Sequence, residues 1–247
     1  RRPVRPHLSR RLLAQGAGEI AMDRILEPEL MVDKEQSEAY ARADFAQVNQ
    51  GFVDRFRSCF PKMTSGAMVD LGCGPGDIPV RFARALPSFR ITAVDGSEPM
   101  IALAQQAVEE AEVGDRVHPL CLRLPMLPLG LQSFDAVVSN SLVHHLPDPY
   151  LFWNEVVRLG RPRGIVLVMD LLRPESPERA WELVQKYSGH EPDILKRDFF
   201  NSLCAAFTLR EVRSHIRSRG LGGLVCEMAS ERHWIVWGHL PREVPKG

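Results

Sequence analysis

The stretch VDLGCGPG at residues 69–76 decides how the rest of this chain is read. Its apolar approach, AMVDL at 67–71, has the length and content of a short buried strand, and it runs directly into Gly72, Gly74 and Gly76. DIPVRFARAL at 77–86 then reads as a helix, with Pro79 in the first turn, where its missing N–H does no harm. A glycine turn between strand and helix lets a ligand approach the backbone, because no Cβ stands in the way. RITAVD at 90–95 reads as a second strand, and Asp95 closes it 19 residues beyond Gly76. From that position a carboxylate can accept both hydroxyls of a ribose.

The acids around the loop discriminate between nucleoside ligands. A dinucleotide fingerprint requires G-x-G-x-x-G, yet here Asp77 stands where the third glycine would be, and Asp70 adds a second acid. At ~4 Å and an effective dielectric of ~20, like charges repel by about 4 kcal/mol. That exceeds the ~0.3–1 kcal/mol by which a helix N-terminus attracts an anion. The same acids suit a ligand carrying an ammonium and a sulfonium, so electrostatics favour S-adenosylmethionine over a nicotinamide dinucleotide.

Working outward, Phe45, Val48, Phe52 and Phe56 mark one face of a helix over Ser37–Phe60, which Pro61 stops. After the second strand, Ser97 is an N-cap for a helix whose apolar stripe runs from Met100 to Ala111. RVHPLCL (116–122) reads as a third strand at a sheet edge, because Pro119 cannot donate to a ladder on both sides. A Pro- and Leu-rich loop over 123–133 leads to FDAVVSN (134–140), a fourth strand. Asp148-Pro149 opens a helix that ends at Gly160, and GIVLVMDLL (164–172) is the most apolar, central strand. Ser176-Pro177 opens another helix, Thr208 to Glu211 forms a capping box, and LVCEMA (224–229) with HWIVWGHL (233–240) reads as a terminal hairpin. Alternating strands and helices from 67 to 172 imply an α/β fold with a doubly wound, mostly parallel sheet.

Composition narrows the function classes. Lys and Arg number 31, as do Asp and Glu, so the formal net charge is zero. A grip on long nucleic acid usually shows as a basic surplus, so nucleic acid is not expected as a partner. The cysteines at 59, 73, 121, 204 and 226 contain no CxxC pair, which gives neither a disulfide framework nor a metal site. Reduced thiols point to the cytoplasm. No apolar run reaches the ~18 residues of a membrane helix. Residues 1–21 carry five arginines and read as a basic, poorly ordered extension; 22–66 read as an N-terminal helical cap on a domain spanning 67–247.

VDLGCGPGDIPVRFA, followed by ITAVDGSEPMIALA, FDAVVSNSLVHHL and LGRPRGIVLVMDLL, resembles the successive motifs of class I, Rossmann-like S-adenosylmethionine-dependent methyltransferases of the small-molecule type. The resemblance spans residues 67–172. It implies a seven-stranded sheet in the order 3-2-1-4-5-7-6, with strand seven antiparallel. It implies also that Gly72, Gly74 and Gly76 contact the methionine part of the cofactor, with Asp70 near its ammonium and Asp95 on the ribose. Gly96, Ser97 and Met100 are then expected against the adenine. The family's acid after strand three is missing, since 121–125 reads CLRLP, which leaves Leu122 and Arg123 as the adenine contacts there. Asn140 and Tyr40 complete the expected cofactor set, Tyr40 closing over the ligand from the N-terminal cap.

Ligands of open α/β sheets bind beyond the carboxyl ends of the strands, which directs the acceptor to SNSLVHHL (139–146) and DLLRPES (170–176). His144 or His145 is the candidate general base, as neutral imidazole takes a proton near pH 7; adjacent side chains on regular structure diverge, so one of the two is expected to be well placed. Ser141, Asp170, Arg173 and Asn201 are the expected substrate-binding residues. The segment 173–207 is a helical insertion near the acceptor, from which Tyr187, Asp198 and Phe200 could also line the pocket. The expected reaction is methyl transfer to a small molecule by a monomer or homodimer. RNA or protein methylation on the same fold, or cofactor binding without catalysis, are the alternatives; no D/N-P-P-Y/F pattern follows strand four to hold a flipped base.

Overall fold

In the computed structural model, residues 22–27 and 45–243 are described. β1 (Ser65–Leu71), β2 (Ser88–Asp95), β3 (Val117–Cys121), β4 (Phe134–Asn140), β5 (Gly160–Leu171), β6 (Val225–Ser230) and β7 (His233–His239) form one sheet in the order β3-β2-β1-β4-β5-β7-β6. The first five strands run parallel, and β7 lies antiparallel between β5 and β6. β3 is an edge strand, so Pro119 needs no donor on its outer side.

The helices are α1 (Ala46–Cys59), α2 (Asp77–Ala85), α3 (Glu98–Glu110), α4 (Pro149–Leu159), α5 (Pro177–Ser188), α6 (Asp193–Ala205) and α7 (Leu209–Ser218). Their starts are chemically fixed. Ser97 accepts from Met100 N, Asp148 from Tyr150 N and Ser176 from Arg179 N, and Thr208 with Glu211 forms a complete capping box. Among the described residues, no helix is long and apolar enough to cross a membrane.

Strand alternation divides the core into two layers. Ile165, Leu167 and Met169 of β5 join Phe52, Phe56, Phe82 and Phe89 on the face covered by α1 and α2. Val166 and Val168 join Phe152, Trp153, Val212 and Ile216 on the face covered by α4 and α7. Each such side chain, fully withdrawn from water, contributes roughly 1.5–3 kcal/mol. With both faces covered, the strand ends are left as the natural opening for a ligand.

Three features of the chain matter for the site. Residues 22–27 carry no helix, although 22–66 reads as a helical cap; they form an irregular strap tied by Ile25 N to the carbonyl of Cys204 at 3.1 Å. The insertion 173–207 contains two helices, α5 and α6, which pack on each other through Ala180, Leu183, Val184 and Leu203. β5 begins at Gly160, where the chain enters the sheet earlier than its apolar run, with a register shift opposite Phe134–Ala136. The extension 1–21, Tyr40 and the start of the expected Ser37–Phe60 helix lie outside the described residues.

Candidate active site

The β1–α2 loop is shaped by its glycines. Gly72, Gly74 and Gly76 all have positive φ, at 78°, 52° and 88°. A Cβ on Gly72 would meet Leu142 Cβ at 2.8 Å, and one on Gly76 would meet Ala104 Cα at 2.9 Å, whereas Gly74 faces open space. Gly76 therefore serves the close approach of α2 to α3, and Gly74 is the point where a ligand can reach the backbone. Gly72 N and Cys73 N both donate to the carbonyl of Val94, at 2.8 and 2.9 Å, pinning the loop to the end of β2. Burial pushes the Cys73 thiol well up, which makes it inert.

Asp95 is held rigidly beside this loop. Its Oδ2 accepts from Gly74 N and its Oδ1 from Ser97 N, both at 2.9 Å. A carboxylate has about four lone-pair sites, so both oxygens keep capacity for a ribose diol. Burial raises its pKa, while the N–H bonds from Ser97 and Gly74 pull the other way. Asp70 lies beneath the loop, fully buried, with neither carboxylate oxygen hydrogen-bonded. Burial, then the charge of Asp95, pushes its pKa up to about 8. An orphaned acid at this depth fits a ligand that brings its own positive charge. Asp77, by contrast, is already satisfied: Arg81 Nε and Asn49 Nδ2 each donate to its Oδ2 at 2.8 Å. The electrostatic case for a cationic ligand thus rests on Asp70 and Asp95.

A cavity of about 610 Å³ opens at the strand ends and joins the two halves of the site. Gly72, Gly74, Asp95, Gly96, Ser97 and Met100 line one end; Asn140, Ser141, His144 and His145 lead to the other. The Oδ1 of Asn140 is buried without a partner. The structure thus brings these ten residues together, but places others differently. Asp70 and Gly76 lie behind the loop. Leu122 donates its N–H to Asp95 O, while its side chain packs into the core. Arg123 turns back to the carbonyl of Gly96 at 2.9 Å. Arg173 does not reach the cavity, because its guanidinium is committed to Glu211 at 2.7 Å and to Ala206 O at 3.0 Å. Asn201 lies off the lining face of α6, which consists of Leu195, Asp198, Phe199 and Ser202. Phe200 instead stacks on Trp181 at 4.5 Å.

Asp170 acts through His144 and does not line the cavity. The contact between His144 Nδ1 and Asp170 Oδ1 is 2.5 Å, with both side chains buried. Asp170 Oδ2 also accepts from Val143 N at 2.6 Å and His144 N at 3.2 Å. Burial works against a charged His144, but the charge and hydrogen bond of Asp170 outweigh it, raising the histidine and lowering the acid. Val143–His145 is a 3-10 turn, and there both imidazoles line the cavity, with ring centroids 4.0 Å apart and planes at 37°. The expectation that the adjacent rings diverge holds for regular structure and fails in this turn.

Several participants were invisible in the sequence. Glu27 of the strap places Oε2 2.5 Å from His145 Nδ1 and accepts at Oε1 from Ser202 Oγ. Arg24 secures the strap by donating to the carbonyls of His144, Leu146 and Ala205 at 2.6–2.9 Å, its guanidinium stacked 3.9 Å above Phe207. Glu27, His144 and His145 each offer a ligand atom within 4.8 Å of the others. Arg232, from the β6–β7 turn, and His233, which opens β7, also line the cavity, Arg232 lying 3.9 Å over the Tyr187 ring. Burial and Arg232 push His233 down to about 4. Only their positions in the hairpin, distant from every motif, bring them there.

Known proteins share this fold. Residues 69–168 match the family described as Methyltransferase domain. The chain is 28% identical over 180 residues to 27-O-demethylrifamycin SV methyltransferase of Amycolatopsis mediterranei, covering 72% of this chain and 62% of that relative's length. A crystal structure of a putative S-adenosylmethionine-dependent methyltransferase from Methanococcus maripaludis superposes with a TM-score of 0.69 at 19% identity, over 90% of this chain and 100% of that one. The plantazolicin methyltransferase in complex with SAH superposes with a TM-score of 0.65 at 14% identity, over 85% and 91%. The strand order agrees with these likenesses, and S-adenosylmethionine is the cofactor that they imply. Residues 69–168 thus carry a methyltransferase domain, and the fold is that of the class I, Rossmann-like S-adenosylmethionine-dependent methyltransferases.

Proposed function

We propose that this protein transfers the methyl group of S-adenosylmethionine to a small-molecule acceptor, with His144 and His145 as the catalytic pair. The observation that carries the reading is the continuous cavity from Gly74 and Asp95 to the two imidazoles. When bound, S-adenosylmethionine supplies a methyl group already activated on a sulfonium. The residues of the chain then have three tasks: to orient the two reactants in line, to exclude water and to keep the nucleophile unprotonated.

Asp95 and the Gly72–Gly74 backbone hold the donor, and Asp70 balances its positive charge. Asn140 and Ser141 border the passage between the two ends. Orientation of this kind supplies about 7–11 kcal/mol of barrier reduction. Asp170 fixes the His144 ring through Nδ1, which leaves the Nε2 lone pair as what the acceptor end presents. Leu195, Asp198, Phe199 and Ser202 of α6 wall that end and favour a compact acceptor over a polymer. One relative is named for a single acceptor, 27-O-demethylrifamycin SV. The five cysteines are all free, which supports a reducing, cytoplasmic setting.

The test is calorimetric titration with S-adenosylmethionine followed by methyl-label transfer to a panel of metabolites. Saturable binding with label in one or more small molecules is expected. Label appearing in bulk tRNA or protein alone would contradict the small-molecule assignment, and binding without any transfer would contradict catalysis.

A further inference from the structure

We propose that Glu27, His144 and His145 form a site for a divalent first-row transition ion that seats an oxygen of the acceptor; this rests on reading the cavity as a methyl-transfer site. The three residues come from the N-terminal strap and the turn after β4, and their ligand atoms all lie within 4.8 Å of one another. Two imidazole nitrogens and one carboxylate oxygen are a donor set that suits zinc, iron or manganese and leaves coordination positions open. Calcium and magnesium prefer oxygen ligands throughout.

The surroundings of the three ligands are those of a metal centre. Histidine ligands are typically oriented by a second group on the other ring nitrogen, and Asp170 does this to His144 at 2.5 Å, which leaves Nε2 to ligate. Asp170 is itself fixed by the amides of Val143 and His144. Ser202 holds the far oxygen of Glu27. His145 Nδ1 is 2.5 Å from Glu27 Oε2, yet this buried nitrogen makes no aligned hydrogen bond. An entering cation would replace this contact, the nitrogen and the oxygen parting to about 3 Å around it. A proton acceptor alone needs one oriented imidazole, whereas here a second ring stands 4.0 Å away with its own carboxylate. The neighbouring cation, Arg24, is committed to backbone carbonyls, and Glu27 with Asp170 leaves the cluster an anionic surplus.

His144 and His145 line the cavity, so the open positions face the acceptor. An ion there binds a hydroxyl oxygen of the acceptor and acidifies it, so that its proton leaves to solvent; the oxygen then forms the bond to the methyl carbon as the donor's C–S bond breaks, and S-adenosylhomocysteine departs. That selects hydroxylated acceptors, and methylation at oxygen, from the small molecules that the cavity admits.

Untagged full chain, stripped with a chelator and saturated with S-adenosylhomocysteine, is titrated with Co²⁺ under a spectrophotometer. One ion per chain with visible ligand-field absorption is expected. Glu27→Gln and His145→Ala should each weaken binding by about tenfold or more, as ligand loss requires. Asp170→Asn keeps all three ligands and should weaken it by about 10–100-fold. Affinity for S-adenosylhomocysteine should stay unchanged in all three, and thermal melts establish that each is folded; Glu27→Gln, on the strap, carries the test should the buried Asp170→Asn not fold. Absence of saturable binding, or equal affinity in Glu27→Gln and His145→Ala, overturns the site. Methyl transfer that survives chelation overturns the role of the ion and leaves the methyl-transfer reading standing. Stoichiometric binding of Co²⁺ without transfer to any acceptor supports the site and defeats the methyl-transfer reading instead.

Discussion

The two ends of the cavity are built on opposite plans. The donor end is local: Gly72, Gly74 and Asp95 sit within one β-α-β unit, and their key bonds are backbone amides to a single carboxylate. The acceptor end is assembled from afar. Glu27 meets Ser202 across 175 positions, Arg24 meets Ala205 across 181, and Arg232 and His233 arrive from the terminal hairpin. A local site depends on backbone shape and survives the loss of distant contacts. An assembled one depends on side chains that hold each other. The two ends can therefore be disabled separately.

The sharpest break of that comparison is His144→Ala. Methyl transfer should fall by about 10²–10⁴-fold, the usual contribution of a proton-handling or ligating group, while titration calorimetry finds cofactor affinity unchanged. A matching loss of cofactor affinity would mean that the two ends are one unit. The reverse experiment is Asp95→Ala, which removes the proposed ribose acceptor and two backbone anchors. With ~1.5–3 kcal/mol for a charged hydrogen bond, cofactor binding should weaken by about tenfold or more, and an unchanged dissociation constant would refute the ribose assignment.

Asp70 predicts a smaller, pH-dependent effect. Its folded pKa of about 8 is far above the ordinary 3.8. Between those values the native protein keeps a proton that the unfolded chain gives up, so the unliganded protein loses stability as pH rises through the window. A cationic ligand favours the ionised form. Binding of S-adenosylmethionine at pH 7 should therefore release a proton, read as a buffer-dependent binding enthalpy, and affinity should rise with pH up to about 8. Enthalpies independent of the buffer would show that Asp70 does not answer the ligand's charge. The smallest effect belongs to Asp77→Asn. Its i,i+4 pair with a part-exposed Arg81 is worth about 0.2–0.5 kcal/mol, and cofactor affinity should stay within about twofold. A tenfold loss would restore Asp77 to the electrostatic role suggested by its place after the glycine loop.

The same contrast explains what could be read from the sequence. The sheet order, the helix caps and the glycine loop follow from short-range patterns, such as Ser97 before Met100 or Thr208 before Glu211. Arg173 and Asn201 lie where acceptor residues belong by position, yet nothing in the local sequence tells that Arg173 turns to Glu211 or that α6 presents Ser202 instead. Leu122 stands in the slot of an adenine contact, but its side chain has a better partner in the core. His144 and His145 were visible as chemistry, while their carboxylates at 170 and 27 were not, because those pairings exist only in the folded chain.

The most direct measurement is a crystal structure of the full chain grown with S-adenosylhomocysteine. Its ribose hydroxyls should lie on Asp95 at about 2.5–3.0 Å, its amino group should face Asp70, and its sulfur should point along the cavity at His144 and His145. A sulfur turned away from the two imidazoles, or a ligand bound outside the cavity, would contradict the division into donor and acceptor ends.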